Sequence, residues 1–263
     1  MAAGGRVVVT TIRILGPVRA WRGGQELPLG SPQQRGVLVL LAVAGGRGVS
    51  MHTLIGALWR DHPPPSAVNV VQTYLKRLRR SLEPDRPRRG PSTLLPTVGD
   101  GYALNPERWS VDLWRFRALM ADARRARHSG DQDRVASIVG EALGLWHGSP
   151  AHDVPVLVDH PWLRTVLGER NTAVGWCAEA ALSTGRAAEV LDIVEDAVAT
   201  GPLDERLHAY LIRLYHAVGR RSEAVHVYHT AMGRLRDDLG LDPGSVLSAA
   251  YQQLLRDELP GPG

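Results

Sequence analysis

The side chains best suited to bind a ligand are concentrated in one short segment, NVVQTYLKRLRRSL, at residues 69–82. This segment carries the single lysine of the chain and three arginines within five residues. Guanidinium, ammonium, amide and hydroxyl groups are the types that bind phosphates and read base edges in the major groove of DNA. The candidate binding residues of the segment are Asn69, Gln72, Thr73, Lys76, Arg77, Arg79 and Arg80.

A helical wheel separates these polar residues from apolar ones. At about 100° per residue, the polar residues face one way, with Gln72 and Arg79 on one shoulder. A helix that is merely solvated would more often interleave acids with bases at i, i+4 spacing, yet no acidic residue occurs between Asp61 and Glu83. The pattern therefore predicts a helix that docks by its leucines and offers a cationic face to DNA. The apolar stripe consists of Val71, Leu75, Leu78 and Leu82.

Composition and charge describe a globular chain with two different halves. The chain has 263 residues, of which 44% are hydrophobic and 22% charged, which is ordinary for a soluble protein. Residues 1–105 carry 14 Lys/Arg against 5 Asp/Glu, a net charge of +9, whereas residues 106–263 carry 17 against 22, a net charge of −5. The first half is therefore expected to bind a polyanion.

The location of the protein follows from what the sequence lacks. A lone cysteine, Cys177, excludes an internal disulfide framework and suits a reducing compartment. No apolar run is long enough to cross a bilayer, and the N-terminal MAAGGRVVVTTIRIL is typical of a strand and not of a signal peptide. We expect a cytoplasmic protein without membrane contact.

Three helices and a hairpin position the candidate residues. The first helix begins at SPQQRG, with Ser31 as cap and Gln34 at the capping-box position, and ends at a Gly-Gly pair. A second begins at Ser50 and stops before HPPP, and the third runs from Ser66 to about residue 82. The stretch TLLPTVGDGYALN has two short apolar runs on either side of Gly-Asp-Gly at residues 99–101, which is typical of a β-hairpin. Opening strands, three helices and a closing hairpin predict a winged helix-turn-helix.

Four motifs in this half resemble one known domain. RGVLVLLA, LIGALW, VQTYLKRLRRSLE and GYAL are similar to the OmpR/PhoB-type DNA-binding domain over residues 6–105. The resemblance implies that the third helix enters the major groove and that the hairpin wing touches the neighbouring minor groove. Asp100 stands in the wing where many relatives have an arginine, and its carboxylate would repel phosphates.

The same resemblance adds candidate DNA contacts outside the third helix. Backbone N–H groups at the start of the first helix can bind a phosphate. Arginines before the wing can contact the DNA backbone in place of a wing arginine. The residues added in this way are Ser31, Gln33, Gln34, Arg86, Arg88, Arg89 and, in the wing, Thr97.

The second half contains only helical patterns, and these repeat. STGRAAEVLDIVEDAV and AVGRRSEAVHVYHTAM align with Gly185 over Gly219, a separation of 34 residues, and HSGDQDRVASIVGEAL is a looser copy. This is the period of tetratricopeptide repeats, whose helix pairs stack on one another. Further helices are predicted at 131–146, 162–184, 187–200, 204–218, 221–238 and 244–258. We predict a mainly α protein with small β elements, divided into a winged helix at 1–106 and an all-α, tetratricopeptide-like domain at 107–263.

The second half also resembles a known domain. VDLWRFRAL, EALGLWHGSP and LYHAVGRRSEAVHVY…LRDDLGLDPG are similar to the bacterial transcriptional activator domain across most of 111–258. A winged helix followed directly by this domain is the arrangement of the small Streptomyces antibiotic regulatory proteins. That resemblance implies a pathway-specific activator of an antibiotic gene cluster. Its partners would be double-stranded promoter DNA with direct repeats, a second copy on the DNA, and RNA polymerase holoenzyme.

The sequence does not support an enzyme. The only lysine lies inside a helix, which excludes a P-loop and lysine Schiff-base chemistry. Two clusters could begin a site but lack the surrounding pattern of one: the triplet Glu223, His226 and His229, and the triplet Ser149, His152 and Asp153. We therefore expect no catalytic residue, no metal and no cofactor.

Two other functions stay open on the sequence. A protein-interaction scaffold would use the winged helix to bind another protein. A regulator or repressor that responds to a small molecule would hold its ligand in the helical half, near tryptophans that otherwise pack helices together. These tryptophans are Trp114, Trp146, Trp162 and Trp176.

Overall fold

The structure, a computed structural model, describes residues 10–87 and 90–256. It is mainly helical with two small sheets, which confirms the predicted fold class. The chain divides into two compact units, one of residues up to 118 together with Gly144–Val166, the other of Leu119–Leu143 with the residues from 167 onward. No helix in the described part is long and apolar enough to cross a membrane.

Within the described residues, seven short strands build two sheets in the first unit. The larger sheet has the order β3-β2-β1-β7, in which β1 runs antiparallel to β2 and parallel to β7, and the smaller has the order β4-β6-β5. The strands are β1 (Thr10–Arg13), β2 (Arg19–Arg22), β3 (Gln25–Glu26), β4 (Val49–Ser50), β5 (Thr97–Val98), β6 (Gly101–Tyr102) and β7 (Trp109–Val111).

Three helices lie between the opening strands and the hairpin, as predicted, and β4 separates the first helix from the second: α1 (Pro32–Val43), α2 (Met51–Trp59) and α3 (Ala67–Leu82). The Ser31 hydroxyl accepts the N–H of Gln34 at 3.3 Å and so caps α1. The three helices pack on one another, because each turns a fully buried apolar stripe inward. The largest buried side chains of this core include Leu38, Leu41, Leu54, Leu75, Leu78 and Leu82.

One buried carboxylate ties the large sheet to the chain that follows it. Asp112 comes directly after β7 and accepts the backbone N–H groups of Ile14 at 2.8 Å, Leu15 at 2.8 Å and Leu113 at 2.8 Å. Burial raises the pKa of Asp112 in spite of these bonds. Because β7 pairs with β1, residues beyond 106 complete the N-terminal sheet. The domain division after residue 106 stays a prediction.

A second stretch of chain also packs into the first unit. The His147 N–H donates to the Leu15 carbonyl at 2.7 Å. The Asp153 carboxylate accepts the Val18 N–H at 2.9 Å and lies 3.1 Å from Arg19 and 3.3 Å from Arg35. The segment GSPAHD thus uses its carboxylate to hold the start of β2.

The second unit is helical throughout its described residues. Its helices are α4 (Asp112–His128), α5 (Gln132–Leu143), α6 (Pro161–Ser183), α7 (Leu191–Thr200), α8 (Glu205–Ala217), α9 (Arg221–Leu239) and α10 (Ser245–Arg256), and the first turns of α4 and α6 belong to the first unit. The sequence predicted these helices to within a few residues, apart from the start of α7. There Ala187–Val190 forms a short 3-10 helix. The predicted end of α10 at 258 lies outside the described residues.

The predicted repeat appears as a recurring turn. Gly130, Gly185 and Gly219 all adopt left-handed backbone angles, with φ of 76°, 70° and 77°. In each case the next residue donates its N–H to the carbonyl five residues earlier, at 2.8–3.2 Å. This geometry ends one helix and redirects the chain into the next, and Gly185 and Gly219 stand at the predicted separation of 34 residues.

Candidate nucleic-acid interface

The recognition face is the exposed side of α3. Val71, Leu75, Leu78 and Leu82 are buried against α1 and α2. Six of the candidate residues are exposed on the other side, in agreement with the helical wheel: Asn69, Gln72, Thr73, Lys76, Arg77 and Arg80. The recognition face, defined by these six residues, therefore has amide, hydroxyl and cationic groups and no carboxylate.

Arg79 joins the recognition helix to the wing. Its Nε and Nη2 atoms donate to the Leu95 carbonyl at 3.0 and 2.8 Å, and Nη2 also donates to the Thr97 hydroxyl at 3.1 Å. The guanidinium lies 5.3 Å from the ring centre of Tyr102, and burial lowers the pKa of Arg79. Arg79 and Thr97 therefore position the wing, and a direct contact of either with DNA stays a prediction.

Glu83 fixes the end of α3 to the same stretch of chain. Its Oε1 accepts the N–H groups of Thr93 at 2.8 Å and Leu94 at 3.0 Å, and its Oε2 accepts the Ser92 hydroxyl. Burial alone would raise the pKa of Glu83, but these hydrogen bonds outweigh burial and lower it. The side chains of Arg79 and Glu83 thus both bind the chain segment that leads into the wing.

The wing is the predicted hairpin. Strands β5 and β6 pair antiparallel around a two-residue loop of Gly99 and Asp100, and β6 pairs with β4 on its other side. Gly99 has a φ of 59°, which a glycine adopts without strain. The Asp100 side chain is exposed at the tip, so the wing presents a negative charge there.

The candidate contacts outside α3 have different outcomes. Gln34 is only 3% exposed and donates its N–H to the Ser31 hydroxyl, and its contact with a phosphate stays a prediction. Ser31 is exposed and Gln33 half-buried, and their contact with DNA stays a prediction. Arg86 donates to the Gly90 carbonyl at 2.5 Å and lies 3.7 Å from Glu83, so it is turned into the loop and not toward an open surface. The remaining two, Arg88 and Arg89, lie outside the described residues.

Sequence reasoning missed two features of the interface. Val68 is an apolar residue in the first turn of α3, yet it is 45% exposed, and the candidate residues did not include it. The anchoring role of Glu83 was also missed. Its signal was weak, because its hydrogen-bond donors are nine to eleven residues further along the chain.

The remaining side chains that the sequence analysis considered for a site pair or pack with neighbouring side chains. Within the described residues, no group of three or more His, Cys, Asp or Glu side chains could hold a metal ion. Glu223 accepts a bond from Arg220 at 2.9 Å, and His229 packs edge-on against the stacked rings of Tyr228 and Tyr251. Cys177 is buried, and burial raises the pKa of its thiol.

Two family models match the chain. Residues 24–104 match the model described as "Transcriptional regulatory protein, C terminal", and residues 111–255 match the "Bacterial transcriptional activator domain". The chain belongs to the Streptomyces antibiotic regulatory protein family. The descriptions of both family models and the names of the relatives below are those of transcriptional regulators.

Individual relatives in this family share most of the chain. Regulatory protein AfsR of Streptomyces griseus is 37% identical over 92% of this chain, and regulatory protein DnrI of Streptomyces peucetius is 29% identical over 93%. The chain spans 24% of the length of AfsR and 92% of DnrI. A solved structure, Mycobacterium tuberculosis EmbR in complex with a low affinity phosphopeptide, has a TM-score of 0.78 and 29% identity. The match covers 97% of this chain and 66% of that one.

Proposed function

We propose that this regulator is a sequence-specific DNA-binding transcription activator of a secondary-metabolite gene cluster. It binds direct repeats in promoter DNA, with neighbouring copies associating on the DNA, and it recruits RNA polymerase holoenzyme. The observation that carries this proposal is the recognition face of α3, where three cationic and three uncharged hydrogen-bonding side chains are exposed together. The family of the chain supports the same function.

The dimensions of α3 suit a major groove. Its 16 residues make a rod of about 24 Å at about 1.5 Å per residue, and the groove, about 12 Å wide, admits one helix. The first turns of a recognition helix commonly contact base edges, which assigns Asn69, Gln72 and Thr73 to the bases. Arg77 and Arg80 come later on the same face, where a guanidinium can bind guanine or a nearby phosphate.

The wing contributes less charge than the helix. The exposed carboxylate of Asp100 at its tip disfavours a phosphate contact there. Because Arg79 and Glu83 hold the chain that leads into the wing, the wing instead limits how the helix can tilt in the groove. Specific affinity is therefore expected to depend mainly on the helix.

The test is a gel-shift measurement at fixed salt with Arg77→Ala and Arg80→Ala. Each variant should bind its promoter site about 10 to 100 times more weakly, since a good base contact contributes about 1–3 kcal/mol. Its circular dichroism should not change, because both side chains are exposed. Arg234→Ala, which removes an exposed arginine from α9, is the matched control and should bind normally. Equal affinity of all four proteins would refute the assignment.

Salt dependence separates this function from a protein-interaction scaffold. A protein that neutralises several phosphates loses affinity steeply as salt rises, with a slope of about 0.9 per phosphate on logarithmic axes. The DNA should come from the genomic neighbourhood of the gene, with footprinting in the presence of RNA polymerase. A flat salt dependence without a preferred sequence would favour the scaffold.

A further inference from the structure

A cavity of about 360 Å³ opens where the larger sheet, the end of α3 and the loop before the wing meet. Its described lining residues all belong to the first unit, and none of them is on the recognition face. Cavities of about 300–1,000 Å³ are typical of small-molecule sites. We call it the arginine cavity, and its polar wall includes Thr10, Arg22, Glu83, Asp85, Arg86 and Arg108.

Two residues of the arginine cavity each have a buried polar atom without a hydrogen-bond partner in the described part of the chain. These atoms are the hydroxyl oxygen of Thr10, which is 1% exposed in β1, and Nε of Arg86. The Nε atom lies 3.7 Å from the Glu83 carboxylate, which is too far for a hydrogen bond. A buried polar atom without a partner lowers the stability of a fold. A ligand that accepts hydrogen bonds in the cavity would remove this cost.

Arg108 adds a guanidinium that has no partner of its own. It precedes β7 and is exposed, and neither a hydrogen bond nor an ion pair of its side chain is found among the described residues. Arg22 donates one N–H to Asp85 at 2.9 Å, and a guanidinium has five such donors. Three guanidiniums and two carboxylates therefore line one cavity, which gives it a net charge of +1.

The apolar part of the wall is held in place by hydrogen bonds of the protein itself. It includes Leu82 at the end of α3 and Leu94 in the loop before the wing. The Leu94 carbonyl accepts the N–H of Asn105 at 3.1 Å and the indole N–H of Trp109 at 2.8 Å. The Leu94 N–H donates to Glu83 at 3.0 Å. The apolar wall is therefore formed before any ligand binds.

We propose that the arginine cavity binds a small organic monocarboxylate. Arg108 and Arg86 bind its carboxylate, since a guanidinium pairs with a carboxylate through two parallel N–H bonds. Leu82 and Leu94 contact its carbon skeleton. The net charge of +1 matches a single negative charge, and the apolar wall favours an organic anion over inorganic phosphate.

Occupation of the arginine cavity also affects the wing. Glu83 lines the cavity and binds Thr93 and Leu94 in the segment that leads into the wing. A ligand that contacts the same wall stabilises this segment in the position that supports the wing. The monocarboxylate should therefore raise the affinity for promoter DNA, and DNA should raise the affinity for the ligand by the same factor. This link to DNA rests on the proposed function, whereas the binding of the ligand does not.

The test of the site measures ligand binding by the full chain without DNA. Benzoate and hexanoate are titrated at constant ionic strength, and binding is followed by the backbone amide resonances of Thr93 and Leu94. Arg108→Ala should bind benzoate about tenfold more weakly, since it removes a charge-assisted pair. Its circular dichroism should not change, because the side chain has no partner in the described structure. Arg47→Ala removes another exposed arginine of the first unit and is the matched control.

Four results would overturn the site. The first is a lack of saturable binding by both monocarboxylates, and the second is equal binding of benzamide, which has the shape of benzoate without its charge. The third is tighter binding of inorganic phosphate than of benzoate. The fourth is an unchanged affinity of Arg108→Ala for benzoate.

Gel shifts on promoter DNA with and without benzoate test the link to the wing. Benzoate should raise the DNA affinity of the wild-type protein and of Arg47→Ala, but not that of Arg108→Ala. If benzoate binds but leaves the DNA affinity of the wild-type protein unchanged, the link to the wing is wrong. Failure of the wild-type protein to bind promoter DNA would instead contradict the proposed function, because the titration of the ligand contains no DNA.

Discussion

The carboxylate of Glu83 connects the end of the recognition helix to the loop segment that leads into the wing. It is 9% exposed and accepts hydrogen bonds from both the hydroxyl and the N–H of Thr93, from the Leu94 N–H and from Ser92. A buried anion is costly unless donors surround it, and here they do so well enough to lower the pKa of Glu83. The ionised form is therefore the one that stabilises the interface.

Replacing this residue by an isostere should reveal its contribution. Glu83→Gln keeps the shape but loses the charge and one acceptor, and we expect the free energy of unfolding to fall by about 1–3 kcal/mol at neutral pH. Urea unfolding followed by circular dichroism measures this difference. Glu107→Gln, the same change at an exposed residue, should leave the free energy of unfolding unaltered.

The difference in the free energy of unfolding between wild type and Glu83→Gln should become smaller as the pH falls. Because the pKa of Glu83 is lowered in the folded protein, its stabilisation is complete above the unfolded pKa of about 4.3. It is lost as the pH falls through the lower pKa of the folded state. The gap between wild type and Glu83→Gln should therefore narrow below about pH 4. A gap that stays constant at every pH would show that ionisation of Glu83 does not matter.

The exposure of a single side chain in this interface was predictable only where the helical period of the apolar residues alone decides it. The helical wheel correctly predicted that Arg77 and Arg80 are exposed, because the spacing of the apolar residues along α3 determines which side of the helix is buried. It could not foresee that Arg79 would bind the carbonyl of Leu95, 16 residues later. Gln34 fits a capping motif in the sequence, but only the packed structure shows that its side chain is buried.

The wing depends on a close approach of two strands at Gly101. A Cβ atom at this position would lie 2.2 Å from the carbonyl oxygen of Val49 in β4 and 2.7 Å from its carbonyl carbon. Backbone atoms cannot move aside without breaking the pairing of β4 with β6. Glycine is required here by the space between the strands and not by its backbone angles.

An alanine scan of two glycines can test this requirement. Gly101→Ala should lower the free energy of unfolding by about 1–3 kcal/mol, the usual cost of overpacking. Gly56→Ala is the matched control, because a Cβ atom there meets nothing within 4 Å on the exposed side of α2. It should raise stability by about 0.5–1 kcal/mol. Thermal unfolding of both variants measures whether stability falls for Gly101→Ala and rises for Gly56→Ala. Equal melting temperatures of the two variants would contradict the clash.

Elements of regular structure were predicted well where they are long. The leucine and glycine spacing located α1, α2, α3 and most helices of the second unit to within a few residues. Strand β7 was missed, because three residues carry too little pattern and its partner β1 lies nearly a hundred residues earlier. The packing of residues 144–166 into the first unit was missed for the same reason, since long-range pairing leaves no local signal.

The charges of the whole chain are divided between its halves, and the proposed function uses both. The first half carries a net charge of +9 and the second a net charge of −5. In the proposed function, the basic half supplies the attraction to DNA, and two copies occupy adjacent repeats.

The phase of the repeats on the DNA tests this arrangement. Half-sites separated by whole helical turns of about 10.5 base pairs place two recognition helices on one face. Insertion of about five base pairs between the repeats turns the second copy to the opposite face. We expect that insertion to abolish cooperative binding and activated transcription, and an insertion of about ten to restore part of both. Each single site should keep its affinity throughout in gel shifts and footprints. If the half-turn insertion leaves cooperativity and transcription intact, the copies do not act side by side.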